Sequence, residues 1–449
     1  MNNIFVEYNI KDLVRFIKSG DISINDIIDV CINRNTLYEK YHAFSSFSPE
    51  LLKKEYEILC HNEYLVGENI FGIPIGVKDI INTKSYPTEM GSTIWKNFYA
   101  GNDARVVYNL KSQGGIVAGK TVTAEFAVHE LNETLNPWDV ERTPGTSSSG
   151  SAVAVSLGIV PVALGTQTAG SIIRPASFCG VFGYVPSFGL IPRTGVLKTT
   201  DSLDTIGMLT SHVDNLRPIL ETLRVKGWDY PYVYKAFSNL DRQMRGNRKW
   251  RIAFVKTYTW DGADDYVKQS ILQLVEILRR DDEIELVEED IDTIISDAHS
   301  VHETIYDKSL AYYFKNEYKD KEHMSNIMRR MIQKGKNISV ESFLKALAKQ
   351  EEMYQAMDEF MSKYDAVLTF STASIAPMRH EKEKDDPSLI WTLLHLPAIN
   401  IPAFINSQEG LPYGCQIVSR RYNDGLLLEF CEYLAGKSIV PSEIKVPPI

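Results

Sequence analysis

The sequence predicts an α/β fold, and three observations carry that prediction. Short apolar runs alternate with helical repeats through the first half, as strands and helices do when they pack around a sheet. In the second half, residues 251–255, 265–279 and 283–288 read as strand, helix and strand, a β-α-β unit. Between residues 143 and 192 there is a single charged residue, Arg174, in a chain of 449 residues of which 24% are charged. Such a stretch belongs in a core.

The elements follow in order. Asn9 precedes Ile10, Leu13, Val14 and Ile17 at helical spacing, with Asp12 three residues past the cap and Gly20 as a stop, which predicts a short amphipathic helix. Ser23 with Asp26 three residues on has the spacing of a helix cap and opens a second helix to about Tyr41, and 50–61 reads as a third. The apolar runs 73–77 and 115–118 end at Lys78-Asp79 and Gly119-Lys120-Thr121; both predict buried strands. Small residues over 152–157, stopped by Gly158, predict a packed helix, and 160–165 a further strand. The polar, aperiodic 225–249 reads as a surface connection between the halves. Beyond the β-α-β unit, 294–318 and 339–363 are helical, 365–370, 398–404 and 413–419 are strands, and 424–435 is a closing helix. The charged segment 380–386 is expected to be a solvated loop.

Composition excludes several classes. A hydrophobic content of 44% with 10% aromatics is that of a globular chain with a large core. The net charge of -10 argues against nucleic acid as a partner. Five scattered cysteines with no Cys-x-x-Cys pair speak against a disulfide frame or zinc knuckle and for a reducing compartment. The start lacks a basic segment followed by an apolar run, so the expectation is a cytoplasmic protein. Residues 147–173 are uncharged and long enough to span a bilayer, but Pro161, Gln167 and many Ser, Thr and Gly mark a buried helix and strand instead, and no membrane partner is expected.

The uncharged stretch is also unusually rich in hydroxyls: Gly-Thr-Ser-Ser-Ser-Gly-Ser over 145–151 and Gly-Thr-Gln-Thr-Ala-Gly-Ser over 165–171. Buried hydroxyls cost free energy unless bonded, and glycine admits close backbone approach, so this mixture reads as a prepared site. Lys78 ends an apolar strand, where desolvation would lower its pKa and make it a base candidate; a lone lysine after a strand is otherwise a surface residue. Three other patterns weigh less. Gly114 to Thr121 satisfies Gly-x4-Gly-Lys-Thr, yet its centre is itself a strand where a phosphate loop needs a strand-turn-helix, so Lys120 is expected to be structural. His299-x-x-His302-Glu303 has a spacing that begins metal sites, but no third ligand accompanies it and a solvent-facing helix with two histidines is the expectation. Ser342-x-x-Lys345 lies in a highly charged helix without a Ser-Asp-Asn partner and is taken as coincidence; nothing points to a Ser-His-Asp triad.

Taken together, the chain resembles the amidase signature family of serine hydrolases. Gly72-Ile-Pro-Ile-Gly-Val-Lys78-Asp79 is similar to its lysine motif, Thr143-Pro-Gly-Thr-Ser147-Ser-Ser-Gly-Ser-Ala152 to its Gly/Ser-rich stretch, and the 165–171 segment to its nucleophile motif. Further similarity lies in Gly119 to Phe126, Phe178-Cys-Gly, Ser202 to Gly207, Leu396 to Pro402 and Leu411 to Gln416. The resemblance implies a single domain over 1–449, with a helical segment 1–64, a signature core about 65–215 and a pocket-forming half about 250–436, built on a mixed sheet between helices. It implies Ser171 as nucleophile, Ser147 as bridging serine on a cis peptide bond, Lys78 as base, the backbone N–H groups of Thr168, Ala169 and Gly170 as oxyanion donors, no metal and no cofactor. The activity implied is hydrolysis of a small-molecule amide. The alternatives are an amidotransferase component passing ammonia or an acyl group to another acceptor, a silent scaffold, or a nucleotide-binding protein; homo-oligomerisation is left open. Where the family has an aspartate this chain has Gln167, and the arginine after the nucleophile is displaced to Arg174 with Ile173 in its usual place. Gln167 is therefore expected to make neutral hydrogen bonds in place of an ion pair.

Overall fold

A computed structural model describes residues 3–61, 65, 68–227, 233, 236–239 and 243–448. Among these, eleven strands form one sheet: β1 (Phe44–Phe47), β2 (Pro74–Lys78), β3 (Ile116–Thr121), β4 (Val162–Gln167), β5 (Phe182–Val185), β6 (Thr205–Thr210), β7 (Trp250–Val255), β8 (Ile284–Glu289), β9 (Ala366–Phe370), β10 (Ala398–Ile405) and β11 (Pro412–Val418). Their spatial order is β1-β3-β2-β4-β6-β5-β10-β11-β9-β7-β8. Pairing is parallel for β3-β2-β4 and β9-β7-β8 and antiparallel between them, so the sheet is mixed, with helices flanking it. The strands β2, β3 and β4 are buried at every residue, as parallel strands covered on both faces require.

The early caps form as their chemistry dictates. The Asn9 side chain accepts from Asp12 N at 3.0 Å, Gly20 ends that helix at φ 81, and Ser23 and Asp26 form a reciprocal capping box. Helix Ser149–Ser156 and strand β4 occupy the uncharged stretch, which is buried from 143 to 187.

Several elements differ from the sequence reading. Strands β1, β5 and β6 are four, four and six residues long and two of them carry a glycine, too little pattern for a period to register. The expected helix 294–318 ends at Tyr313, and a separate helix Asn326–Asn337 starts on a Ser325 side chain that accepts from Met328 N. The expected connection 225–249 falls partly outside the described residues. No peptide bond among the described residues is cis, so the cis bond implied at Ser147 is not present; this peptide keeps the trans form that is the ground state of a non-proline bond. No described helix is long and apolar enough to cross a membrane.

Candidate active site

Lys78 closes β2 and Gln167 closes β4. The two strands are parallel and in register, Val77 beside Leu164, so both chains leave the sheet at its carboxyl edge, where α/β sheets place their ligands. The third segment arrives with helix Ser149–Ser156, which packs on β2, β3 and β4. Gly150 N donates to Val122 O at 3.2 Å, and a Cβ at residue 150 would lie 2.4 Å from both Ala43 O and Val122 N; only glycine lets this helix start so close to the strand end. Thr123 Oγ1 then donates to Ser147 O at 2.9 Å, and Ser151 Oγ to Leu164 O at 2.9 Å, fixing the serine-rich turn over β2.

That turn brings Ser147 and Ser148 onto Lys78. The Nζ atom lies 2.5 Å from Ser147 Oγ, 2.9 Å from Ser148 Oγ and 2.9 Å from Thr166 Oγ1, and Lys78, Ser147 and Ser148 are all closed to solvent. All three contacts are neutral oxygens. With no carboxylate in contact to repay desolvation, burial pushes the Lys78 amine well below its ordinary value, and the more distant Asp204 charge only partly opposes this. A free amine offers two N–H donors and one lone pair, and three hydroxyls can satisfy it completely, with one of them donating.

Beyond β4 the chain turns through Thr168, Ala169, Gly170 and Ser171 into helix Ile173–Cys179. Gln167 closes this turn: its Oε1 accepts from Ile172 N at 2.8 Å and Ile173 N at 3.1 Å, while its Nε2 donates to Thr392 Oγ1 at 2.9 Å. These are the neutral bonds expected of it, and Gln167 is buried. Three carbonyls of the turn are held elsewhere: Thr168 O accepts from His302 Nε2 at 2.7 Å, Ala169 O from Thr392 Oγ1 at 2.6 Å, and Gly170 O from Arg174 N at 3.0 Å. Among the described residues, the amides of Thr168, Ala169, Gly170 and Ser171 have no acceptor. Four consecutive N–H groups, the first three in residues whose carbonyls are anchored, form a donor cradle of the kind that holds a developing oxyanion. The Ser171 hydroxyl, in a residue only 4% exposed, makes no hydrogen bond to another described residue, so the link from Ser147 to Ser171 is open.

The charged segment 380–386 is exposed at 380–382, 384 and 385, as a solvated loop should be, but it turns Glu383 and Asp386 inward. Arg174 is buried, with Nη1 at 3.1 Å from Glu383 and 3.0 Å from Asp386 and Nη2 donating to Thr146 Oγ1 at 3.0 Å. Burial opposes the guanidinium charge, but these two carboxylates more than offset it and hold its pKa above the usual value. These two side chains are drawn in because a buried guanidinium without partners would be far costlier than ordering them. Asp386 lies so close to the nucleophile turn that a Cβ at Gly170 would be 1.7 Å from its Oδ2, which requires glycine there.

His302 also departs from the expected solvent-facing helix: it is buried, and burial pushes its pKa down to about 4, so the ring is neutral and donates through Nε2 to the Thr168 carbonyl. Helix Ala298–Tyr313 turns this face inward because it packs on helices Asn326–Asn337, Val340–Met361 and Leu389–Leu393. No group of three metal-ligating side chains occurs among the described residues. Lys120 lies within β3, not in a phosphate loop; it is fully buried, 3.0 Å from Asp79 Oδ1, and donates to Pro87 O and Thr88 Oγ1. It braces the turn that follows Lys78.

The family model described as Amidase matches residues 26–428. The chain belongs to the amidase family. Among curated amidase-family relatives, the A-type subunit of glutamyl-tRNA(Gln) amidotransferase from Geobacillus kaustophilus (strain HTA426) is 35% identical over 61% of this chain and 59% of its own length. That of Sulfurihydrogenibium sp. (strain YO3AOP1) is 29% identical over 94% of this chain and 95% of its own. A solved amidase has a TM-score of 0.85 at 23% identity over 96% of this chain and 100% of its own. The corresponding glutamyl-tRNA(Gln) amidotransferase polypeptide of Thermotoga maritima has a TM-score of 0.79 at 25% identity over 99% and 98%.

This amidase-family fold brings Lys78, Ser147 and the turn Thr168-Ala169-Gly170-Ser171 to one edge of the sheet. Sequence reasoning passed over Ser148, Thr166, Asp204, Thr392, Glu383 and Asp386. Asp204 belongs to the motif Ser202 to Gly207 and Glu383 and Asp386 to the charged segment 380–386; a lone Thr392 in an apolar segment carries no signal of its own.

Proposed function

We propose that the chain cleaves a carboxylic amide through an acyl-enzyme on Ser171. The observation that carries this reading is the 2.5 Å contact between a fully buried Lys78 amine and the Ser147 hydroxyl, because a lysine serves as base only when neutral. Ser171 Oγ attacks the amide carbonyl carbon; its proton passes to Ser147 Oγ, and the Ser147 proton passes to the Lys78 lone pair. The tetrahedral oxyanion lies in the amide cradle of Thr168, Ala169 and Gly170. As the C–N bond breaks, the same relay returns the proton to the departing amine, and water then releases the acyl group by the reverse path. The open step from Ser147 to Ser171 closes when substrate fills the cradle, as catalytic hydrogen bonds commonly tighten in the complex. The test is incubation with a broad set of amides and esters, with intact-mass detection of the acyl-enzyme and mapping of the modified residue. An acyl adduct on Ser171 is expected; an adduct on Ser147 or Ser148 overturns the assignment.

A second reading, supported by the relatives named as glutamyl-tRNA(Gln) amidotransferase components, keeps the same chemistry but delivers ammonia to a partner. Stable co-purifying proteins, with amide cleavage faster in their presence, would favour it over free hydrolysis.

A further inference from the structure

Asp204 is a buried carboxylate that the relay does not use. It sits just before β6, and β6 pairs antiparallel with β4, Gln167 beside Thr205, so the fold sets Asp204 against the nucleophile turn. Its Oδ1 accepts from Thr168 Oγ1 at 2.9 Å, Thr199 Oγ1 at 2.6 Å and Thr200 Oγ1 at 3.0 Å; its Oδ2 accepts from Thr199 N at 2.8 Å and Thr200 N at 3.0 Å. Five donors and no accepting partner define an ionised carboxylate, since a protonated acid would waste one of those sites. Four of these donors come from the 199–200 turn, and one comes from the residue that opens the amide cradle. A structural clamp alone needs no charge here, and a buried charge is expensive.

We propose that Asp204 is a positioning residue of this site, pinning the turn that carries the oxyanion donors and setting the charge balance in which Lys78 works. The inference rests on Lys78 acting as the base. The groups around Lys78 are the hydroxyls of Ser147, Ser148 and Thr166, all neutral. Thr166, which meets Lys78 at 2.9 Å, and Thr168, which Asp204 holds at 2.9 Å, stand two residues apart at the end of β4, so the Asp204 charge reaches the amine from that side and opposes its depression. Around Asp204 stand Thr168, Thr199 and Thr200, the Arg193 guanidinium at 4.0 Å, and the Tyr306 phenol, whose pKa is raised first by burial and then by the Asp204 charge. Asp204 keeps the Lys78 amine from falling so low that it is too weak a base, a balance that general-base catalysis needs because the best pKa lies near the working pH. Arg193 tempers that effect from the solvent side.

The experiment uses a fluorophosphonate, which needs no knowledge of the substrate. Ser171 Oγ bonds to phosphorus as fluoride leaves, and the hydroxyl proton goes to the relay, so the labelling rate follows the neutral fraction of Lys78. Rates are read by intact mass from about pH 5 to 10 on the full chain, a range that brackets a lysine depressed by burial. In Asp204→Asn the acid limb moves to lower pH by about half a unit or more, because the ammonium loses its opposite charge. In Arg193→Gln it moves to higher pH, because the Asp204 charge then acts unopposed. In Thr168→Val, which keeps the charge and removes one tether, the plateau falls about tenfold and the limb stays in place. A purely structural Asp204 would change plateaus and leave every limb in place. If Asp204→Asn does not fold, Arg193→Gln, at a half-buried side chain, decides alone. A limb coincident with wild type in either variant that melts cooperatively overturns the inference. Failure of wild-type Ser171 to label would instead remove the hydrolase reading, and this one with it.

Discussion

Lys78 Nζ lies 2.5 Å from Ser147 Oγ, and neither residue is touched by solvent. The amine is thus held among hydroxyls with no contacting carboxylate, an arrangement that disfavours the ammonium and leaves a lone pair to accept a proton. Ser171→Ala is expected to abolish the acyl-enzyme, while Lys78→Ala and Ser147→Ala each lower kcat by about 10²–10⁴-fold with far smaller effects on KM. The double change costs little more than the worse single one, because the groups act as one relay. Steady-state kinetics on the first amide found to turn over checks this; near wild-type kcat in Lys78→Ala would refute it.

Lys78 also makes stability depend on pH. Its folded pKa is depressed relative to the unfolded chain, so between the two values the unfolded state binds the extra proton and stability rises with pH. The window runs from the depressed folded value up to about 10.4, the unperturbed lysine value. Lys78→Met should flatten the rise of the urea midpoint with pH across that window. Parallel profiles for wild type and variant would show that Lys78 is charged in the fold.

The Lys120–Asp79 pair gives a test of the false phosphate loop. Both groups are buried, and their 3.0 Å contact compensates two desolvated charges. Lys120→Met leaves Asp79 uncompensated and is expected to destabilise by about 3 kcal/mol or more, measured by denaturant unfolding. ATP should neither bind nor stabilise wild type in calorimetry; saturable micromolar binding lost in the variant would reverse the reading.

Arg174 carries a similar liability in the opposite sign. Arg174→Met would leave Glu383 and Asp386 as half-buried carboxylates without their cation, and the Glu383 pKa, raised first by burial even with its partner, would rise further. A loss of about 3 kcal/mol at pH 7 is expected. Since the folded state then binds protons more tightly than the unfolded one, the deficit should shrink as the pH falls to about 5, near the ordinary glutamate range. A deficit that is constant or grows with acidity would mean the loop is solvated in the variant.

Gln167 tests the turn itself. Gln167→Glu keeps the two bonds from Ile172 N and Ile173 N but loses the donor to Thr392 and sets a charge beside the cradle. We expect kcat to fall by about tenfold, roughly 1.4 kcal/mol at the transition state, with KM little changed. Equal kcat would show that the Thr392 link does not hold the Ala169 carbonyl.

The class of fold, the buried centre and the segments that meet there are legible in the amino-acid order alone. Caps such as Asn9 and Ser23 and apolar runs such as 73–77 act through neighbours a few residues away, so local spacing suffices to read them. The uncharged stretch around Ser147 and Ser171 announced a prepared interior for the same reason: charge cannot be buried cheaply, and its absence over so long a span is visible without coordinates. Which distant group answers which becomes visible only in the folded chain. Gln167 meets Thr392, Arg174 meets Glu383 and Asp386, and His302 meets the Thr168 carbonyl, each across a long stretch of intervening chain. A single buried hydrogen bond or ion pair repeats with no period and leaves no pattern along the chain, so His302 and the two inward-facing carboxylates of an otherwise exposed loop acquire their roles only when the sheet brings their partners to the carboxyl edge of β2 and β4.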